Sequence, residues 1–337
     1  LIDHPTAATA GSPTDTVQRF LLEGAAVRGE IVSLDAAWRE VTSRHAYPRS
    51  VRDRLGELCA AGLLLSASLK FDGALILQIH GDGPVALLVA ECEADGRFRA
   101  TAKLREGYEC PDDASLAELV NANGKGRFVV TLDPRNRTAQ RQPYQGIVPF
   151  EGDTIAQVLE RYMDRSEQVP TRLWLAADDA RATGLMLQRL ASEGGRPAPV
   201  GDEAPSNPVA TEAGAAAQSG SVPDRDGWTR LQILAETLTG EELLSLPSTQ
   251  VLRRLFWQEP LHAFDARPTR FACTCSRTKV SAMLKMLGRE EVDDILREQR
   301  TVSVRCEYCN TPYDFDAVDS AELFVSEPLA PASNARH

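Results

Sequence analysis

Cys273-Thr-Cys275 and Cys306-Glu-Tyr-Cys309 decide how this chain is read, because four of its seven cysteines fall into these two tight pairs. Two close thiol pairs joined by a compact spacer are the sequence form of a four-thiolate Zn²⁺ site, in which soft ligands from both pairs converge on one ion. The second pair has the common C-x-x-C knuckle spacing. The first leaves one residue between its sulfurs and makes a tighter clamp. Core thiols, and a zinc site that only holds a small domain together, are the competing readings of the same spacing. A permanent disulfide pair fits less well, since nothing in the sequence directs the chain to an oxidising compartment.

Around these cysteines the pattern predicts helices over residues 281–287 and 290–299, a strand over 301–305 entering the knuckle, and its return over 313–315. So small a core supplies only about 3–5 kcal/mol, against an apparent 10–16 kcal/mol or so from structural zinc in small peptides. Metal therefore decides whether a C-terminal unit over 263–325 folds, with 326–337 as a disordered tail. Upstream, Trp228, Leu231, Leu234 and Leu238, then Leu243, Leu244 and Leu246, recur at helical spacing, and 251–257 adds a third apolar stretch. These make a helical linker region over 227–262, whose apolar faces either dock permanently or are covered conditionally. Residues 191–226, rich in Ala, Pro and Gly, bury too little apolar surface to offset their ordering entropy and read as a flexible linker.

The first 190 residues predict one domain. Residues 15–23 read as a short helix and 25–34 as a strand. Asp35 reads as the N-cap of a helix carrying Trp38 and Val41, and Pro48 starts a long apolar helix to about Leu69. Strands follow at 74–80, 85–92, 97–104, 127–132 and 144–150, then a helix at 153–165 and strands at 171–177 and 183–190. The intervening Gly81-Asp-Gly83-Pro84, Asp95-Gly96, Asn123-Gly124 and Asp133-Pro134 are turn signals for antiparallel connections. Without regular β-α alternation the class is α+β: an N-terminal, mainly antiparallel sheet domain with helices, a helical linker region, and a small C-terminal zinc-binding domain.

Composition narrows function. With 37 basic and 48 acidic residues the chain carries a formal charge of −11, so no global attraction draws it to nucleic acid or an anionic membrane. No apolar run approaches the roughly 20 residues of a membrane span. The first residues lack the basic and apolar regions of a signal peptide, which places the chain in the cytoplasm, where thiols stay reduced. Cys59, Cys92 and Cys110 stand alone and read as buried, inert thiols. The loose match Gly81-x-Gly83-x-x-Ala86 to a dinucleotide fingerprint fails, since Pro84-Val-Ala-Leu continues as a strand where that motif needs a helix. No P-loop, nucleophile elbow or zinc-protease helix is present.

The order of motifs resembles the redox-regulated heat-shock protein 33 holdases, also called 33 kDa chaperonins. It includes Val27-Arg-Gly-Glu30, Lys70-Phe-Asp-Gly73, Gly81-Asp-Gly-Pro84, Tyr144-Gln-Gly146, Ser166-Glu-Gln-Val-Pro-Thr171, Gly184-Leu-Met-Leu-Gln188, and the two cysteine pairs. The 191–226 segment is longer than that family usually carries. The resemblance implies an ATP-independent chaperone, not an enzyme, that binds unfolded client proteins under oxidative stress and is a homodimer when active. It implies one Zn²⁺ per chain in the reduced form, with Cys273, Cys275, Cys306 and Cys309 as ligands and redox switch, and disulfides between near neighbours on oxidation. Two other classes stand beside it. A thiol-disulfide oxidoreductase would use Cys306 and Cys309, and a zinc-ribbon nucleic-acid binder would want a basic surface.

Overall fold

The helix that organises the fold is α2 (Arg49–Ser68), which is buried on nearly every face from Leu55 onward and touches strands of two different sheets. A helix apolar all round has to lie inside a domain. In the computed structural model, which describes residues 14–136, 138, 142–190 and 226–325, the chain divides into two compact units between Ala272 and Cys273.

The first unit has two six-stranded sheets. One runs β10 (Leu261–Ala263), β1 (Thr16–Leu22), β2 (Val27–Leu34), β9 (Ala182–Arg189), β8 (Thr171–Ala177), and β11 (Arg267–Pro268) also pairs with β1. The other runs β12 (Arg270–Phe271), β5 (Arg97–Leu104), β4 (Val85–Glu93), β3 (Gly73–His80), β6 (Arg127–Pro134), β7 (Tyr144–Val148). Every pairing is antiparallel except β12 on β5. Helices α1 (Ala36–Thr42), α2, α3 (Leu116–Val120) and α4 (Ile155–Arg165) join the main core, which includes Trp38, Leu58, Leu77, Leu88, Phe98 and Phe128.

A separate apolar cluster forms on the other face of the first sheet. There Phe20, Leu22, Val27, Ile31, Leu185 and Leu187 meet α5 (Gly227–Glu236), α6 (Gly240–Ser245) and α7 (Ser248–Phe256) through Leu231, Ala235, Leu243, Val251 and Phe256, with Leu238 from the loop between α5 and α6. Phe20 and Phe256 lie with ring centroids 6.0 Å apart. The helical linker region is thus docked, its apolar stripe turned onto the sheet.

Four expectations need correction. Residues 15–23 form strand β1 and not a helix: Val17, Phe20 and Leu21 have helical spacing, but the segment pairs with β2 on one edge and β10 and β11 on the other, and those pairings override local preference. Helix α3 was not expected, although Ser115 and Glu118 form a capping box. The cysteine-bearing unit starts at Cys273 and not at residue 263, because residues 261–271 supply β10, β11 and β12 to the sheets of the first unit. Within that unit the first helix begins at Arg277, four residues before the expected Ser281. The chain from Pro84 enters β4, so no nucleotide-binding helix follows Gly83. Of the expected linker over 191–226, residues 191–225 lie outside the described residues, as does the tail over 326–337.

The second unit holds α8 (Arg277–Leu287), α9 (Arg289–Gln299), the hairpin β13 (Val302–Arg305) and β14 (Pro312–Phe315), and α10 (Ala317–Val325). Its buried core is Leu284, Val292, Val302 and Phe315. So few side chains agree with the expectation that the core alone is weak.

Candidate metal centre

Cys306 and Cys309 occupy the turn of the β13–β14 hairpin, whose register pairs Arg305 with Pro312 and Val304 with Tyr313. The turn is closed by Asn310 N–H donating to Cys306 O at 2.8 Å and Cys306 N–H donating to Thr311 O at 3.0 Å. Asn310 takes φ +56°, a left-handed conformation that Asn tolerates better than most residues. Cys273 and Cys275 precede α8. Ser276 caps that helix by accepting from Lys279 N–H at 3.2 Å, while Lys279 Nζ donates back to Thr274 O at 2.7 Å and holds the C-x-C loop to the helix. Arg277 fixes the helix to the hairpin: its guanidinium lies 4.2 Å from the Phe315 ring centroid and donates to Asp314 O at 2.8 Å.

These elements bring all four predicted cysteines together. Their Sγ atoms lie within 4.8 Å of one another, with Cys273 and Cys306 at 3.6 Å and Cys275 and Cys309 at 3.3 Å. Cys309 is buried and the other three are half-buried. Two hydroxyls that the sequence did not single out point at the sulfurs. Tyr313 Oη donates to Cys275 Sγ at 3.0 Å, and Thr311 Oγ1 lies 3.1 Å from Cys309 Sγ.

Burial pushes the thiols of Cys273, Cys275 and Cys306 up. Cys309 goes the other way. Burial opposes its ionisation, but the Thr311 hydroxyl and amide, with the Cys275 and Cys306 thiols, stabilise the thiolate and bring it down to about 6. A cluster that already favours one thiolate and converges four sulfurs, with no carboxylate or imidazole among them, suits a soft-accepting, four-coordinate ion. The donor set fits Zn²⁺. Cys59 and Cys92 are fully buried, with burial pushing their thiols far up, and Cys110 is half-buried. None of these three joins the cluster.

The family described as Hsp33 protein matches residues 15–316. A 33 kDa chaperonin of Methylobacillus flagellatus is 43% identical over 325 residues, covering 96% of this chain and 99% of the relative. The chain belongs to the Hsp33 family. A second relative, a 33 kDa chaperonin of Chromobacterium violaceum, is 44% identical over 323 residues, covering 96% of this chain and 98% of its own length. The crystal structure of the 33 kDa chaperonin from Thermotoga maritima shares the fold, with TM-score 0.71 at 21% identity, over 92% of this chain and 97% of that one. As an Hsp33 protein the chain is a redox-regulated, zinc-associated chaperone that holds unfolded proteins, with one Zn²⁺ site, and is not an enzyme. No described helix is long and apolar enough to cross a membrane.

Proposed function

We propose that Cys273, Cys275, Cys306 and Cys309 are both the zinc ligands and the oxidant sensor, and that their oxidation uncovers the sheet face now occupied by α5, α6 and α7. The convergence of four Sγ atoms within 4.8 Å carries this reading. Bound zinc would hold the four sulfurs as thiolates and tie the C-x-C loop to the hairpin turn. Each disulfide that forms removes two of those thiolates: their sulfurs give two electrons to an oxidant such as hydrogen peroxide, whose O–O bond breaks, and with two protons taken up two waters leave. With the sulfurs spent, the core of Leu284, Val292, Val302 and Phe315 is too small to hold the second unit folded.

The pairing we favour is Cys273 with Cys275 and Cys306 with Cys309. In the reduced cluster the short contacts run across the pairs, so the closed site itself does not select neighbours. Once the unit opens, neighbours stay within one or two residues of each other while cross-pair partners are separated by long loops, and closing the longer loop costs more entropy. An oxidoreductase reading is disfavoured by the position of Cys306 and Cys309 in a hairpin turn, since the reactive C-x-x-C of such enzymes sits at a helix N-terminus.

Clients would be held in the cytoplasm by the apolar cluster of Phe20, Leu22, Val27, Leu185 and Leu187 together with the inner faces of the released helices, and the active form would be a homodimer. The deciding experiment treats reduced, zinc-loaded protein with peroxide and follows client aggregation, zinc release, disulfide mapping and oligomeric state in the same samples. Holding activity that rises with zinc loss and near-neighbour disulfides supports the reading. Activity that is equal before and after oxidation, or mainly cross-pair disulfides, refutes the corresponding part.

A further inference from the structure

The second unit carries exposed sulfur other than its thiols. Of the four methionines in the chain, Met163 on α4 and Met186 on β9 are buried at 5% and 0% exposure, while Met283 and Met286 on α8 are 44% and 82% exposed. With Leu287, 51% exposed, these two make an apolar stripe at i, i+3 and i+4. Leu284 on the same helix is buried in the core of the unit and Val280 packs against it. The helix is reached directly from Cys275 through its cap, Ser276.

We propose that Met283 and Met286 are a second oxidation site of the redox unit, thioethers that hydrogen peroxide or hypochlorous acid converts to sulfoxides, and that this mark outlasts reduction of the cysteines. With peroxide, the sulfur lone pair attacks one oxygen, the O–O bond breaks, the S–O bond forms, and water leaves after proton transfer. With hypochlorous acid the net change is one oxygen gained by sulfur, with chloride and a proton released. In both cases the sulfur loses two electrons and the oxidant gains them.

A thioether has no proton to lose, so neither metal occupancy nor pH gates its reaction as they gate a thiol. Access puts both ahead of the buried pair, Met163 and Met186, which lie in the first unit. Disulfides are reversed by a thiolate attacking an S–S bond. A sulfoxide offers no such bond and is restored by dedicated reductases. Because the stripe is exposed, its sulfoxides displace neither Leu284 nor Val292, and the unit can refold around zinc while still carrying them.

The inference rests on the proposed cysteine switch only in expecting the unit to meet these oxidants. The test treats the full-length, reduced, zinc-loaded protein with graded hypochlorous acid, then dithiothreitol and zinc, and reads peptide masses, free thiols and bound zinc. The expected result is one oxygen on each of Met283 and Met286, none on Met163 or Met186, recovery of all four cluster thiols, and unchanged zinc stoichiometry. The double variant Met283→Leu, Met286→Leu should lose the persistent oxygens and keep thiol oxidation and zinc release. Equal oxidation of Met163 and Met186, unmodified α8 methionines at doses that consume the thiols, or failure of the sulfoxide-bearing protein to rebind zinc would each overturn it. Thiol and zinc readings from the same samples separate that failure from a failure of the cysteine switch.

Discussion

Leu231→Ala tests whether the docked helices are a cover. Leu231 is fully buried in the cluster that holds α5, α6 and α7 to the sheet, and this cluster is separate from the main core around α2. Truncating a buried leucine costs about 2–5 kcal/mol in lost transfer energy and residual cavity. Because Leu231 lies in the docking cluster, the loss falls on docking and not on the main core around α2. About 3 kcal/mol raises the undocked population roughly 100-fold, since each 1.4 kcal/mol is tenfold. Leu234 only packs against the cluster as a partly buried residue, so Leu234→Ala should act in the same direction and more weakly.

Two measurements follow this shift. Hydrogen exchange should accelerate in α5–α7 while β3 and β6 keep their protection. Aggregation of a thermally unfolding client should be suppressed without oxidant, with zinc still bound. Uniform loss of protection through both sheets, with no oxidant-independent holding, would show that the helices are a permanent part of the domain and refute the cover.

Three further outcomes are expected. Reductively purified protein should hold one zinc per chain, and replacing Cys273, Cys275, Cys306 and Cys309 together by serine should abolish it in metal analysis. A Cβ on Gly29 would lie 2.0 Å from Phe20 Cζ, so Gly29→Ala should drive that ring out of its contact with Phe256 and raise exchange in α7. Glu57 is buried, and that burial raises its carboxyl to about 7, with Asp53 adding to the rise and Arg54 opposing it. A raised acid contributes stability that is full below its unfolded value and is lost as pH rises through about 7. Glu57→Gln should therefore flatten denaturation midpoints over that interval, and an unchanged slope would reject the assignment.

The clustering of the four cysteines was legible because spacing alone constrains it: C-x-C and C-x-x-C can converge on one point in few ways. The long helix over Arg49–Ser68 and the strands β3, β4, β5, β6, β8 and β9 were legible from length, alternation and turn residues. What escaped depends on partners distant in sequence. Strand β1 looks helical until β2 and β10 are beside it. Strands of two or three residues such as β10, β11 and β12 carry no periodicity, and Pro268 inside β11 reads as a break. Tyr313 and Thr311 reach the sulfurs only because the hairpin register puts Val304 opposite Tyr313 and Arg305 opposite Pro312. Ser115-x-x-Glu118, whose side chains form a capping box, is a readable signal for α3.

Those same short strands give the proposed switch a route through the first unit. Residues 257–272 join α7 to Cys273, laid across both sheets as three strands of three, two and two residues. They are held by few main-chain bonds, among them Phe264 N–H to Arg19 O, Thr269 N–H to Asp15 O, Arg270 N–H to Gly96 O and Ala272 N–H to Phe98 O. At about 0.5–1.5 kcal/mol net for each bond, such a strap is far easier to release than either sheet. Its β10 segment pairs Ala263 with Phe20, and the Phe20 ring packs on Phe256 of α7. Loss of order beyond Cys273 frees the end of the strap. Peeling β10 then removes the edge partner of the residue that seats α7. Phe20 therefore stands where the strap and the docked helices share one support, so loosening the strap at β10 and displacing the ring by Gly29→Ala should converge on the same uncovered face.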